Sequence, residues 1–152
     1  EAIIKIIDNH KDIFFLIPMH KNEVLRSKIK NYLGEKERIK LVEPLSYDEM
    51  ITVLEASTIV LTDSGGLQEE SPALGKPVLI LRENTERPEA VNAGTAKLVG
   101  TNSEHIFLEV SKLLNDKKYY QKMQKIKNPF GDGTASRQIV NLCRKFLNKK
   151  NC

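Results

Sequence analysis

Tryptophan is absent from this 152-residue chain, and Phe and Tyr bring the aromatic share to only 6%. A surface that stacks single-stranded bases needs more rings than that. Cysteine is scarce, with only Cys143 and Cys152. Two such thiols make no disulfide framework, and a reducing cytoplasm is the expected setting. With His10, His20 and His105 far apart in sequence they also supply no zinc set, so neither a metal nor a cofactor is expected. No apolar run approaches the roughly 20 residues of a membrane span, and no secretory leader pattern occurs, which argues against a membrane role. The chain opens at Glu1 inside an apolar-periodic run, EAIIKIIDN, which reads as a helix cut from something longer.

Charge is present but unevenly spread. Residues 116–150 hold ten Lys or Arg against Asp116 and Asp132, so that stretch carries +8 and residues 1–115 carry −4 within a net +4. The basic character therefore belongs to a C-terminal helical surface. A solvated face explains it better than a nucleic-acid site, and no nucleic-acid partner is expected.

Short β-rich runs alternate with amphipathic segments. Strands are expected at 13–17, 39–42, 58–61, 78–81 and 96–99, mostly as continuous apolar runs. That pattern belongs to parallel strands covered on both faces. Helices are expected at 23–33, 47–56, 67–74, 88–93 and 103–114, followed by a basic helical stretch, a PFGDG turn and a last helix at 134–147. Ser46-Tyr47-Asp48-Glu49 reads as a capping box, and Gly75 followed by Lys76-Pro77 reads as a helix stop. The alternation defines an α/β chain with an open, doubly wound parallel sheet. A first unit over 1–128 and a C-terminal turn and helix over 129–152, completing or crossing over the domain, are the expected divisions.

Ligands of such sheets sit beyond the carboxyl ends of the strands. There the sequence places PMHKN, EPLSYDEM, TDSGGLQEE and RENTERPEA. Ser64, Gly65 and Gly66 turn into a helix whose unpaired N–H groups suit a phosphate; the alternative is a tight turn needing positive φ. Glu70, four residues beyond Gly66, suits the hydroxyls of a ribose, while Glu69 reads as a solvated or structural neighbour. For both acids the plainer explanation is a favourable charge in the first helical turn. Arg82 or Arg87 could neutralise a diphosphate, or both could belong to a salt-bridged loop. His20 lies at the same edge, as a ligand contact or as an ordinary capping or surface residue. No acid/base pair suited to proton abstraction stands out.

LTDSGGLQEESPALGKPVL, ENTERPEAVNAGTAKLVG and NPFGDGTAS, in this order, resemble the non-hydrolysing UDP-N-acetylglucosamine 2-epimerases from about Ile13 through the final helix. The resemblance implies a Rossmann-like domain, the C-terminal half of a GT-B-type two-domain enzyme. It implies that Ser64, Gly65 and Gly66 hold the diphosphate of UDP, that Glu70 holds the ribose, and that Arg87 serves the nucleotide site. Leu45 and Met50 fall where the family lines the uracil pocket. His20 matches a histidine linked in bacterial members to a second, activating UDP-GlcNAc.

The family interconverts UDP-GlcNAc and UDP-ManNAc by eliminating UDP and re-adding it. The acids for the sugar C2 proton come from an N-terminal domain. The implied partners are UDP or UDP-GlcNAc, that N-terminal domain and, at full length, a second copy in a homodimer. The chain is thus expected to bind UDP and to lack catalytic residues of its own. Two alternatives are the nucleotide-sugar half of a GT-B glycosyltransferase and a non-catalytic UDP-sugar-binding module.

Overall fold

A computed structural model describes residues 1–34, 36–125 and 127–149. Five strands alternate with helices: α1 (Ala2–Asn9), β1 (Phe15–Pro18), α2 (Glu23–Leu33), β2 (Ile39–Val42), α3 (Tyr47–Ala56), β3 (Val60–Thr62), α4 (Gly65–Ala73), β4 (Val78–Ile80), α5 (Pro88–Ala93) and β5 (Ala96–Leu98). Helices α6 (Ser103–Asn115), α7 (Lys117–Gln124) and α8 (Ala135–Lys149) follow. Cys143 is free and exposed, whereas Cys152 and the rest of the 150–152 tail lie outside the described residues.

All strand pairing is parallel, but in two ladders rather than one continuous sheet. β1 pairs with β2 from Phe15↔Ile39 to Pro18↔Val42. β4 lies between β3 and β5, with Leu79 opposite Leu61 and Lys97. Among the described residues no ladder joins β1 to β3. Phe15 and Leu61 instead pack against one buried cluster, so the ladders share a core.

Val78, Leu79 and Ile80 of β4 are each 0% exposed. Successive strand side chains point to opposite faces. Leu79 accordingly enters a cluster with Ile6, Val99, Ile106, Val110, Leu113 and Met123, built on α1, α6 and α7. Val78 and Ile80 enter another with Leu54, Val60, Ala90 and Ala96. Cover on both faces explains the unbroken apolar run. The same expectation fails for β1. Phe15 and Ile17 face the cluster of Ile7, Leu33 and Ile39. Phe14 and Leu16, on the other face, are 57% and 38% exposed.

Helix ends follow the local sequence. The Ser46 hydroxyl accepts from Glu49 N, and Ser46 N donates to Glu49 Oε2 at 2.8 Å, which completes the capping box. After α4, Lys76 N donates to Ser71 O and Gly75 N to Pro72 O, both at 3.0 Å, with Gly75 at φ +68°. This double bond pattern needs a left-handed residue, which glycine supplies without Cβ strain. The sequence expectation missed the role of Arg38. Its guanidinium donates to Ile7 O and to His10 O at 2.7 Å, satisfying carbonyls at the end of α1.

The fully enclosed β4 leads to a direct stability expectation. Leu79→Ala should lower unfolding free energy by about 2–5 kcal/mol through lost burial and the cavity left behind. A urea titration followed by circular dichroism checks this, and a loss under about 1 kcal/mol would show that Leu79 is not held as tightly as its burial implies.

Candidate functional site

The chain leaves β3 through a small side-chain turn. Thr62, 5% exposed, accepts from Ser64 N at 3.0 Å through its hydroxyl. Ser64 takes an extended backbone, φ −80° and ψ 131°, and α4 begins at Gly65. The helix therefore starts two residues earlier than position 67, and both glycines lie inside its first turn. Neither has a positive φ. The tight-turn alternative is thereby removed.

Packing does not demand the glycines either. A Cβ on Gly66 would meet only Ser64 Oγ at 3.9 Å and Glu70 Oε1 at 4.0 Å. One on Gly65 would meet Glu86 Oε1 at 2.8 Å, the far end of a flexible side chain, and Arg87 Nη2 at 3.8 Å. Glycine inside a helix costs about 1 kcal/mol relative to alanine. Here that cost keeps Cβ atoms off the helix opening. The first bond into the helix runs from Gln68 N to Ser64 O at 3.3 Å. Among the described residues, the N–H groups of Gly65, Gly66 and Leu67 have no acceptor in the chain.

The structure brings Ser64, Gly65, Gly66, Glu70 and Arg87 together at this opening. Glu70 is half-buried, and its carboxylate folds back over the first turn. Glu69, one position earlier, is the ion-pair partner of Arg87 Nε. That pairing raises the Arg87 pKa above its ordinary value, chiefly through the hydrogen bond to Glu69. Arg87 Nη1 donates to Glu86 O at 3.2 Å, which leaves Nη2 near Gly65. Arg82 pairs with Glu86 at 2.8 Å. Both arginines thus belong to a salt-bridged loop, and only Arg87 also borders the turn.

His20, Leu45 and Met50 lie on other segments, the β1–α2 loop, the β2–α3 loop and helix α3. His20 is exposed in the loop after β1, and its Nδ1 accepts from Asn22 N at 3.1 Å. The proton of the neutral ring is then on Nε2. With Asn22, Val24, Leu25 and Lys28 it lines an open depression. Leu45 is half-buried in the β2–α3 loop, while Met50 on α3 packs against the Val78–Ile80 cluster. Among the described residues no group of His, Cys, Asp and Glu could hold a metal ion.

Sequence reasoning overlooked what holds the β4–α5 loop. Gln68 is 0% exposed. Its Oε1 accepts from Thr85 Oγ1 at 2.5 Å, and Thr85 Oγ1 accepts from Arg87 N at 3.0 Å. The loop is thereby tied to α4 by the Thr85 hydroxyl on Gln68 and by the Arg87 guanidinium on Glu69. A Gln on the buried face of the helix beside Ser71 and Pro72 was the available signal.

Parallel strands with helices, and a helix opening at the carboxyl end of β3, define an α/β Rossmann-like domain of the GT-B kind. The C-terminal domain of a group 1 glycosyl transferase from Francisella tularensis has the same fold, with a TM-score of 0.65 at 20% identity over 85% of this chain and 72% of that one. The family model described as UDP-N-acetylglucosamine 2-epimerase matches residues 1–144, and the chain belongs to that family.

The Bacillus subtilis UDP-N-acetylglucosamine 2-epimerase is 46% identical over 92% of this chain and 37% of its own length. The Campylobacter jejuni enzyme of that name is 44% identical over 99% of this chain and 39% of its own. The Staphylococcus aureus MnaA–UDP co-structure superposes with a TM-score of 0.90 at 44% identity, covering 97% of this chain and 40% of that one. The Neisseria meningitidis UDP-GlcNAc 2-epimerase bound to UDP-GlcNAc gives 0.88 at 43%, covering 95% and 39%. The chain thus spans about two-fifths of these relatives' length.

The Gln68–Thr85–Arg87 connection can be cut without changing volume. Thr85→Val should destabilise the fold by about 1–3 kcal/mol, because it strips a buried amide oxygen of its donor. Urea unfolding of the variant measures this, and wild-type stability would mean that the loop is held by the ion pairs alone.

Proposed function

We propose that this chain is the UDP-holding portion of a UDP-N-acetylglucosamine 2-epimerase, an isomerase of nucleotide sugars at full length. One observation carries the reading. Two glycines occupy the first turn of α4 although neither φ nor any neighbour in the chain requires them. They keep three N–H donors accessible, which is what phosphate oxygens need at a helix start. The co-structures of the S. aureus and N. meningitidis relatives with UDP and UDP-GlcNAc support the same ligand here.

In this reading the diphosphate rests on Ser64, Gly65 and Gly66, with Arg87 Nη2 beside it. Glu70 accepts hydrogen bonds from the ribose hydroxyls, and Leu45 and Met50 border the uracil. His20 stands at the neighbouring strand end as a further ligand or regulatory contact. The reaction attributed to the family removes the sugar C2 proton, eliminates UDP and re-adds it on the opposite configuration. Charge grows on the departing phosphate, and preoriented N–H groups and a guanidinium stabilise that charge. Removal of the C2 proton is not assigned to this chain in this reading. That chemistry is assigned to an N-terminal domain of the full-length protein, acting in the cytoplasm as a homodimer.

Helix α8 fits such an arrangement. Ile139, Leu142 and Leu147 are 59%, 65% and 59% exposed along one side of it. A face of that kind calls for cover. We assign the cover to the remainder of the full-length protein, so the described part of the 129–152 segment crosses from this domain to the other.

Calorimetric titration of the chain with UDP tests the site. Glu70→Ala should weaken UDP binding by about 1.5–3 kcal/mol, the worth of a charged hydrogen bond, and an unchanged affinity would return Glu70 to a structural role. The isolated chain should bind UDP without interconverting UDP-GlcNAc and UDP-ManNAc. Measurable epimerisation by these residues alone would refute the division of labour.

A further inference from the structure

We propose that Glu86 is an affinity-limiting acid that competes with the ligand's phosphate for the opening of α4. This rests on the diphosphate reading given above. Glu86 Oε1 lies 2.8 Å from the point where a Cβ on Gly65 would stand, nearer than Arg87 Nη2 at 3.8 Å. The space beside the free N–H groups is therefore bordered first by a carboxylate. A phosphate entering there meets a like charge at short range, where repulsion persists in water and grows as water is excluded.

The acid is an anion at neutral pH. Its own backbone N–H, helped by Arg82 and Arg87, holds its carboxyl below the ordinary glutamate value against the opposing effect of desolvation. It is also weakly tethered. Its pairing with Arg82 leaves the two side chains 48% and 44% exposed, and exposed ion pairs contribute little. Glu86 can thus swing aside when a ligand is anchored elsewhere as well. A ligand with a second grip, such as a ribose on Glu70, displaces it. Free inorganic phosphate lacks that grip and is kept at low occupancy.

Glu83 is the natural control. It lies on the same loop, but its carboxylate sits over Gly100, 2.5 Å from that residue's Cβ position. Glu83→Gln removes the same charge from the chain without touching the α4 opening.

The experiment is calorimetry on wild type, Glu86→Gln and Glu83→Gln with inorganic pyrophosphate, UDP and uridine. Glu86→Gln should bind pyrophosphate and UDP about tenfold tighter than wild type, with uridine unchanged. Glu83→Gln should behave as wild type. UDP binding by the wild type with no gain, or a loss, in Glu86→Gln would overturn the proposal and leave the UDP site standing. An equal gain in Glu83→Gln would also overturn it, since net charge alone would then suffice. A wild type that binds no UDP, beside a Glu86→Gln variant that gains pyrophosphate, would sink the UDP reading while sustaining the role of Glu86. Binding of neither anion by any variant would overturn both.

Discussion

The enclosure of β4 is the constraint on which the rest of the structure depends. Val78, Leu79 and Ile80 have no exposed surface, and each face of the strand has its own cluster of partners. A fully buried Leu or Ile contributes about 1.5–3 kcal/mol relative to its exposed state. Three in succession can be buried only if helices lie on both sides. α1, α6 and α7 supply one side, and α3, α4 and α5 contribute to the other. With β4 fixed, β3 and β5 take their register from it. The segments leaving the carboxyl ends of β3 and β4 then emerge side by side, and the α4 opening and the 81–87 loop are those segments.

Helix α4 combines three jobs along nine residues. Its first turn is bare, its middle holds the neighbouring loop, and its end is closed by the Gly75 motif. The middle turn is buried and polar, with Gln68 and Ser71 both 0% exposed. Gln68 Oε1 is satisfied by Thr85, whereas Gln68 Nε2 and Ser71 Oγ find no partner among the described residues. A buried orphan costs about 1–3 kcal/mol. An apolar middle turn would avoid that cost but could not grip the loop backbone through Thr85. The helix thus gives up stability in its first turn, through glycine, and again in its middle, through polar burial.

Features set by residues close in sequence could be read in advance. The Ser46–Glu49 box, the Gly75 stop and helices α2, α3 and α5 follow from signals within a few residues, and the structure places them at the expected positions. The start of α4 was displaced because Gly-Gly has low helix propensity and reads as a turn, and local preference yields there to what the opening must accommodate. Contacts across long sequence intervals were not legible. Thr85 and Gln68 are 17 residues apart, and Arg38 reaches carbonyls 28 and 31 residues earlier. The break between the β1–β2 and β3–β4–β5 ladders likewise depends on packing between elements, and no residue type announces it. Ser64, Gly65, Gly66, Glu70 and Arg87 were legible as a group because all follow strand ends, and the fold does the rest.

The charge balance at the α4 opening explains why Glu70, among three nearby acids, is the one left available. Glu69 is taken by Arg87 and Glu86 by Arg82. Both arginines of the loop are thereby committed, and among the described residues Glu70 has no ion-pair or hydrogen-bond partner. A half-buried carboxylate without a donor is unfavourable, since ionised groups removed from water need compensation. It is also an acceptor in waiting, with Oε1 4.0 Å from the point where a Cβ on Gly66 would stand and no ion-pair partner among the described residues. A phosphate placed beside it would add repulsion, whereas a pair of vicinal hydroxyls would supply the missing donors. The sequence Glu69-Glu70 therefore divides one short acidic run into two tasks by helix geometry alone. A step of about 100° round the helix turns the first acid toward the loop arginine and leaves the second facing the opening.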